Sequence, residues 1–293
     1  MQAVYNLIID SPYKIPGFFE VSGKADINIS TGKVPQTIES PLEETPFYQI
    51  SKNEFLINIP NIARYYVCNG SEITIEAYTK ATENDIIFFL MDTPFTVLLQ
   101  QRGILSLRGT ALEKDGEAIL FVGPAGTGKS TVAEAFIQKG FNLVSDGIIV
   151  TDGKFVFPGR NFLSLWKDMA VKAGYDIEKL IKIRSCLERY WVEYKQEFFL
   201  NEPLKIKKIY TIYESKTDLL KIEEISKGAK ITELYDNTSW LYLVIKSGGK
   251  KKFFPLYVSL SQSTDITKLS FQHEKDKPIE ETGIFKFLEN EFL

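Results

Sequence analysis

One stretch constrains the rest of the chain: Ala118-Ile-Leu-Phe-Val-Gly-Pro-Ala-Gly-Thr-Gly-Lys-Ser-Thr131. Residues 123–130 fit G-x-x-x-x-G-K-[ST], the phosphate-binding loop. The flanks suit that motif. Residues 118–122 are an apolar run short enough for a buried parallel strand. Residues 131–139 put Val132, Ala135, Phe136 and Lys139 at helical spacing, and Gly140 stands where such a helix should stop.

Each residue type in the loop has a physical reason to be there. Gly123, Gly126 and Gly128 let the backbone curl so that several N–H groups face inward at phosphate oxygens. Pro124, Ala125 and Thr127 complete that cradle, and Thr131 continues it into the helix. The helix N-terminus adds a partial positive charge. Lys129 brings a full charge to the β- and γ-phosphates, and the Ser130 hydroxyl is suited to bind Mg²⁺.

Charge and composition exclude several other chemistries. The 293 residues carry 35 basic and 38 acidic side chains, a net charge of −3, which gives no strong field for nucleic acid or an anionic membrane. Cys68 and Cys186 are far apart and form neither a metal spacing nor a disulfide framework. The one histidine, His273, lies among Gln272, Glu274, Lys275 and Asp276 and reads as a solvated loop residue. A zinc site or a Ser-His-Asp hydrolase is therefore not expected. With no basic start, no long apolar run and no bilayer-length stretch, a cytoplasmic protein is expected.

Residues 1–96 read as a smaller β-rich N-terminal domain, with strands at 3–9, 18–21, 25–29, 47–50, 54–59, 63–67 and 72–78. Asn69-Gly70 suits a tight hairpin. Residues 83–101 are expected to be helical, with a break near Pro94. Residues 97–293 read as an α/β domain with a mixed sheet, because Asp115-Gly116 turns the preceding strand back into residues 118–122. A second strand, 141–146, ends at Asp146, and ligands in open α/β sheets lie at the carboxyl ends of strands. Asp152-Gly153 is a further hairpin signal. Residues 163–173 and 177–187 read as helices, followed by strands through Trp191 and at 206–213. Residues 241–245 and 253–259 read as a hairpin around Ser247-Gly-Gly-Lys250, with Lys250, Lys251 and Lys252 as a solvated basic turn. A C-terminal helix is expected around 284–288.

Gly116-Glu-Ala-Ile-Leu-Phe-Val-Gly-Pro-Ala-Gly-Thr-Gly-Lys-Ser-Thr131, followed by Gly140-Phe-Asn-Leu-Val-Ser-Asp146, resembles the catalytic domain of HPr kinase/phosphorylase and its shorter serine-kinase relatives, including lasso-peptide precursor kinases. Asp146 lies sixteen residues after Ser130, as in that family. The Arg102-Gly103 lead-in and Pro158-Gly159…Leu165-Trp166 are similar too. The resemblance is clear over residues 97–170. It implies a P-loop core like that of the PEP carboxykinases, Mg²⁺ and ATP as cofactors, and a peptide or small protein bearing a serine as acceptor. It also implies Asp146 and Lys129 as catalytic residues, Asp146 accepting the proton of the acceptor hydroxyl. Because the family is often hexameric, it allows a homo-oligomer.

Two positions depart from the family pattern. Its second acid is Gly147 here, and its lead-in histidine is Arg108, which could itself contact the phosphates. Two alternatives therefore stay open: an ATP-binding switch with reduced catalysis, and a kinase for a small-molecule hydroxyl.

Overall fold

In the computed structural model, the described residues are 1–184, 186–194, 202–216, 220–272 and 279–292. His273 lies outside them. The chain divides into two compact units. The first comprises Met1–Ser106, Ile183–Cys186 and Thr238–Leu256; the second comprises Leu107–Lys182, Leu187–Asn237 and Tyr257–Leu293.

The first unit holds nine strands: β1 (Gln2–Val4), β2 (Leu7–Asp10), β3 (Phe19–Glu20), β4 (Ile27–Thr31), β5 (Glu43–Glu44), β6 (Tyr48–Ile50), β7 (Glu54–Ile59), β8 (Ala63–Cys68) and β9 (Glu72–Ala77). They form one sheet in the order β3-β1-β2-β4-β9-β8-β7-β6-β5. The expected single strand at 3–9 is two strands. Tyr5 and Asn6 have φ of 54° and 61°, the doubly left-handed turn of a tight hairpin. The hairpin at Asn69-Gly70 is present, with Cys68 opposite Glu72.

Alternate residues of these strands, such as Tyr65, Val67, Ile73 and Ile75, are buried. Helix α1 (Glu83–Arg102) buries Leu90, Phe95, Leu98 and Leu99 in the same unit, and Tyr65 Oη donates to the Ile86 carbonyl at 2.9 Å. Pro94 does not interrupt α1 as expected. The helix is buried on both sides of it, and that packing outweighs a proline cost of about 3 kcal/mol.

The second unit is built on a mixed sheet. Its strands are β10 (Leu105–Lys114), β11 (Glu117–Val122), β12 (Asn142–Thr151) and β13 (Phe155–Phe157), followed later by β17 (Leu204–Glu214), β18 (Lys221–Glu224) and β19 (Asp265–Phe271). Between β13 and β17 come β14 (Phe162–Trp166), β15 (Ile181–Arg184) and β16 (Leu187–Glu193). β11 lies between antiparallel β10 and parallel β17. The β10–β11 turn is the expected one, Asp115 and Gly116 having φ of 54° and 82°.

Helix α2 (Lys129–Ile137) follows β11 after the glycine loop. Phe136 of α2 packs 4.9 Å from Phe285 and 5.0 Å from Phe141, ring centre to ring centre. Phe285 belongs to the C-terminal helix, Gly283–Phe292, where a helix is expected. This aromatic cluster fixes α2 against the sheet and so fixes the loop at its head.

Several expected elements differ. Residues 163–173 are a strand and then a short helix, α3 (Lys167–Lys172), because Leu163 and Leu165 alternate into the core opposite β16. Residues 177–187 hold one 3₁₀ turn, Ile177–Lys179, and then β15, where Ile-Lys-Ile-Arg has period 2. The expected hairpin at 241–259 is a pair of helices, α5 (Leu241–Lys246) and α6 (Lys250–Ser263), after α4 (Lys227–Asp236). Phe253, Tyr257, Leu260 and Ser261 are buried at helical spacing, which a seven-residue window at 253–259 is too short to reveal. Lys250, Lys251 and Lys252 open α6 instead of forming a loop. No helix among the described residues is long and apolar enough to cross a membrane.

Candidate active site

The loop leaves β11 at Gly123. Its φ is 154°, and a Cβ there would lie 2.3 Å from the Ile212 carbonyl oxygen on β17. Glycine is required because two backbones meet. Gly126 and Gly128 are left-handed, at 86° and 84°, and Gly128 caps α2. Pro124, Ala125 and Gly126 are exposed at the crown, while Thr127 and Lys129 are buried beneath it. Ser130 and Thr131 are half-buried in the first turn of α2.

Lys129 Nζ donates to the Pro124 carbonyl at 2.5 Å and to Thr127 Oγ1 at 3.2 Å. Only 8% of Lys129 is exposed. Burial pulls its pKa down to about 8; Arg108 and Arg189 push the same way, and Asp146 opposes them.

Asp146 is 5% exposed and held from three elements. Its Oδ1 accepts from Ser130 Oγ at 2.9 Å and from Thr110 Oγ1 of β10 at 2.5 Å. Its Oδ2 accepts from the Ser164 N–H of β14 at 2.9 Å. Asp146 does not end its strand as expected; β12 runs on to Thr151. The strand is irregular there: Gly147 has φ of 84°, and Ser145 Oγ reaches past it to donate to the Ile148 carbonyl at 2.6 Å. A Cβ at Gly147 would meet nothing within 4 Å, so room for a second acid exists but the backbone favours glycine.

Two arginines complete the charge pattern. Arg108 is exposed on β10, where its carbonyl accepts from the Gly123 N–H at 3.1 Å. Strand alternation puts it on the face of Thr110. Arg189 of β16 stands over the Trp166 ring at 5.6 Å and donates from Nη2 to the Ser164 carbonyl at 3.4 Å. Its Nε is buried without a partner. Among the described residues, no carboxylate lies within 4 Å of Lys129, Arg108 or Arg189. Lys129 thus feels two arginines and one buried carboxylate at once, an arrangement suited to a polyanion.

Loop, lysine, serine and Asp146 come together as a group, and Arg108 lies at the same end of β11. Sequence reasoning missed Thr110, Ser164 and Arg189. Thr110 carries a faint signal, two residues from Arg108 on one strand. Ser164 acts through its backbone N–H, and Arg189 sits in an unremarkable Leu-Glu-Arg-Tyr-Trp run.

The donor set suits the expected metal. Ser130 Oγ and the Asp146 carboxylate supply one hydroxyl and one acid side by side, and Mg²⁺ commonly takes one or two carboxylates, waters and substrate phosphates. The fit is good. No cluster of three or more His, Cys, Asp or Glu ligands for a metal occurs among the described residues.

Comparison with protein-family models and with curated proteins finds no match. Among solved structures, the chain is similar to the HPr(Ser) kinase/phosphatase from Coxiella burnetii, at 13% identity. That likeness covers 64% of this chain and 95% of the other, with a TM-score of 0.30. The likeness is distant, and the functional reading rests on the site itself.

Proposed function

We propose that this chain is an ATP-dependent kinase with a PEP carboxykinase-like P-loop core, transferring the γ-phosphoryl group to a serine hydroxyl of a peptide or small protein. The observation that carries the reading is the pairing of Ser130 with Asp146 at the head of α2, beside a buried Lys129 whose field Arg108 and Arg189 share.

In this reading the N–H groups of the loop hold the ATP phosphates. Lys129 exchanges the Pro124 carbonyl for a phosphate oxygen, which keeps it charged. Arg108 and Arg189 add charge at the outer phosphates, and the orphaned Arg189 Nε gains a partner. Ser130 and Asp146 would hold Mg²⁺, which would supply neutralising charge beside the phosphates. Asp146 also orients the acceptor hydroxyl and takes its proton, exchanging one of its present hydrogen bonds to do so. Phosphoryl transfer is mostly positioning and charge neutralisation, and these residues supply both.

One observation favours a second reading, a nucleotide-binding switch. Asp146 already accepts three hydrogen bonds, and the neighbouring position is a left-handed glycine instead of an acid. Incubation with γ-labelled ATP, Mg²⁺ and serine peptides or small hydroxyl metabolites distinguishes the cases. Label on a peptide serine supports the proposal, label on a metabolite alone moves the acceptor class, and ATP binding with no transfer favours the switch.

A further inference from the structure

The three donors that hold Asp146 are not equivalent. Oδ1 accepts from Thr110 Oγ1 at 2.5 Å and from Ser130 Oγ at 2.9 Å, while Oδ2 accepts from the Ser164 N–H at 2.9 Å. An aspartate turns easily about its last bond, where the torsion is broad and two-fold. One firm donor on each oxygen is what fixes the plane of the carboxylate. Ser164 fixes Oδ2 from the main chain of β14.

The two hydroxyls on Oδ1 differ in how firmly they are placed. Ser130 is half-buried in the first turn of α2, beside the glycine loop. Its side chain is unbranched and swings between rotamers. Thr110 is fully buried on β10, which runs between β11 and β12. Its backbone stands opposite Phe121 of β11. Threonine is β-branched, so its χ1 is stiff.

Core packing does not call for a hydroxyl at this position. Leu112, two residues along the strand, and Phe121 opposite are apolar and buried. A valine would fill the same space without the cost of burying an O–H group. That hydroxyl donates to Asp146.

We infer that Thr110 is the positioning residue of Asp146. Its hydrogen bond persists, and the Ser130 bond is the one exchanged when the acceptor hydroxyl arrives, so the carboxylate keeps its plane. Thr110 itself touches neither ATP nor acceptor. The inference rests on the reading of Asp146 as the base.

The first test needs no turnover. Ser164 donates its amide proton to Asp146 Oδ2, so hydrogen exchange at that amide, followed by NMR on nucleotide-free protein, reports how well the carboxylate is held. Thr110→Val should speed exchange by ~10-fold, whereas Ser130→Ala should stay within ~threefold of wild type because the firmer donor remains.

The second test is ADP formation from saturating Mg·ATP, with water or serine peptides as acceptor. Thr110→Val should lower kcat by ~10–100-fold, the cost of a slightly misplaced reacting group, with KM for ATP within ~threefold. Thr110→Ser returns the hydroxyl and should bring kcat to within ~fivefold of wild type. In an Asp146→Asn background, Thr110→Val should change kcat by less than ~twofold, because the group it positions is gone; a merely structural residue would cost the same in both backgrounds. Thr110→Ala makes the same comparisons should Thr110→Val not fold.

Unchanged Ser164 exchange in the folded variant, or equal losses in the two backgrounds, overturns the inference. Wild type and Thr110→Val forming ADP at the same kcat defeats the inference alone. No ADP from wild type with any of these acceptors defeats the kinase reading, and this inference with it.

Discussion

Two buried carboxylates of the second unit, Glu134 and Asp146, meet hydrogen-bond donors in comparable number but in different surroundings. Glu134, on α2, accepts from Tyr194 Oη, from Tyr175 Oη at 2.7 Å and from Gln138 Nε2 at 3.0 Å. Its partners are tyrosines whose own pKa values are pushed up, mainly by burial and with Glu134 contributing, so they stay protonated donors. Asp146 accepts from Ser130, Thr110 and a backbone N–H, and it lies in the field of Lys129 beneath the glycine loop. Burial and saturation are shared. What differs is the company: closed neutral donors around Glu134, unpaired cations around the Asp146 site. A buried, well-bonded acid is by itself a structural feature. It becomes a candidate for chemistry where unpaired charge converges on an open loop.

The comparison is broken most forcefully by paired isosteric substitutions. Asp146→Asn should reduce phosphoryl transfer by roughly 10²–10⁴-fold, the usual contribution of a positioned base, and should weaken the Mg²⁺-dependent part of ATP binding while leaving metal-free ATP binding little changed. Glu134→Gln should leave transfer within about threefold while lowering stability by about 1–3 kcal/mol, because a charged acceptor of hydroxyl donors is lost. Turnover and denaturant midpoints measured for both variants would reverse the assignment if Glu134→Gln abolished transfer and Asp146→Asn did not.

A smaller effect sharpens the role of the cations. Replacing Arg189 with Met keeps bulk over the Trp166 ring and removes the charge and the orphaned Nε–H. ATP affinity should fall by about 10-fold, in line with the loss of one charged hydrogen bond, and thermal stability should hold. An unchanged affinity would return Arg189 to a purely structural place beside Trp166.

The smallest effect is one of pH. Lys129 titrates near 8 in the folded chain, against 10.5 for an ordinary lysine. A lysine with a lowered folded pKa disfavours folding while charged. That penalty is full below about pH 8 and is relieved as pH rises from 8 toward 10.5. Phosphate oxygens reverse the preference, so ATP binding at pH 9 should take up close to one proton and its affinity should fall above pH 8. Calorimetry in buffers of different ionisation enthalpy measures that uptake. No uptake in wild type, or the same uptake in Lys129→Ala, would place the titration elsewhere.

Legibility in the sequence followed the range of the forces involved. The strand, glycine loop and helix at 118–139 were readable because every signal is local, and so were the hairpins at Asn69-Gly70 and Asp115-Gly116, where positive φ demands those residues. Asp146 was readable from its distance to Ser130. The continuation of β12 past it was hidden, because Gly147 reads as a turn but serves as an irregularity within a strand. Thr110, Ser164 and Arg189 reach the site from β10, β14 and β16, and no local pattern encodes that convergence. The helices α5 and α6 were misread because their aromatic and β-branched residues have strand propensity, which burial on one helical face overrides.

The central claim is that residues 123–131 with Asp146 form a site for Mg·ATP, and it is tested most directly by titrating ATP into wild type and Lys129→Ala by calorimetry, with and without Mg²⁺. The account predicts Mg²⁺-dependent binding to wild type and at least ~10-fold weaker binding to a folded Lys129→Ala, the loss of one charge-assisted contact to phosphate. Equal affinity in the two folded proteins, or no ATP binding by wild type, would contradict it.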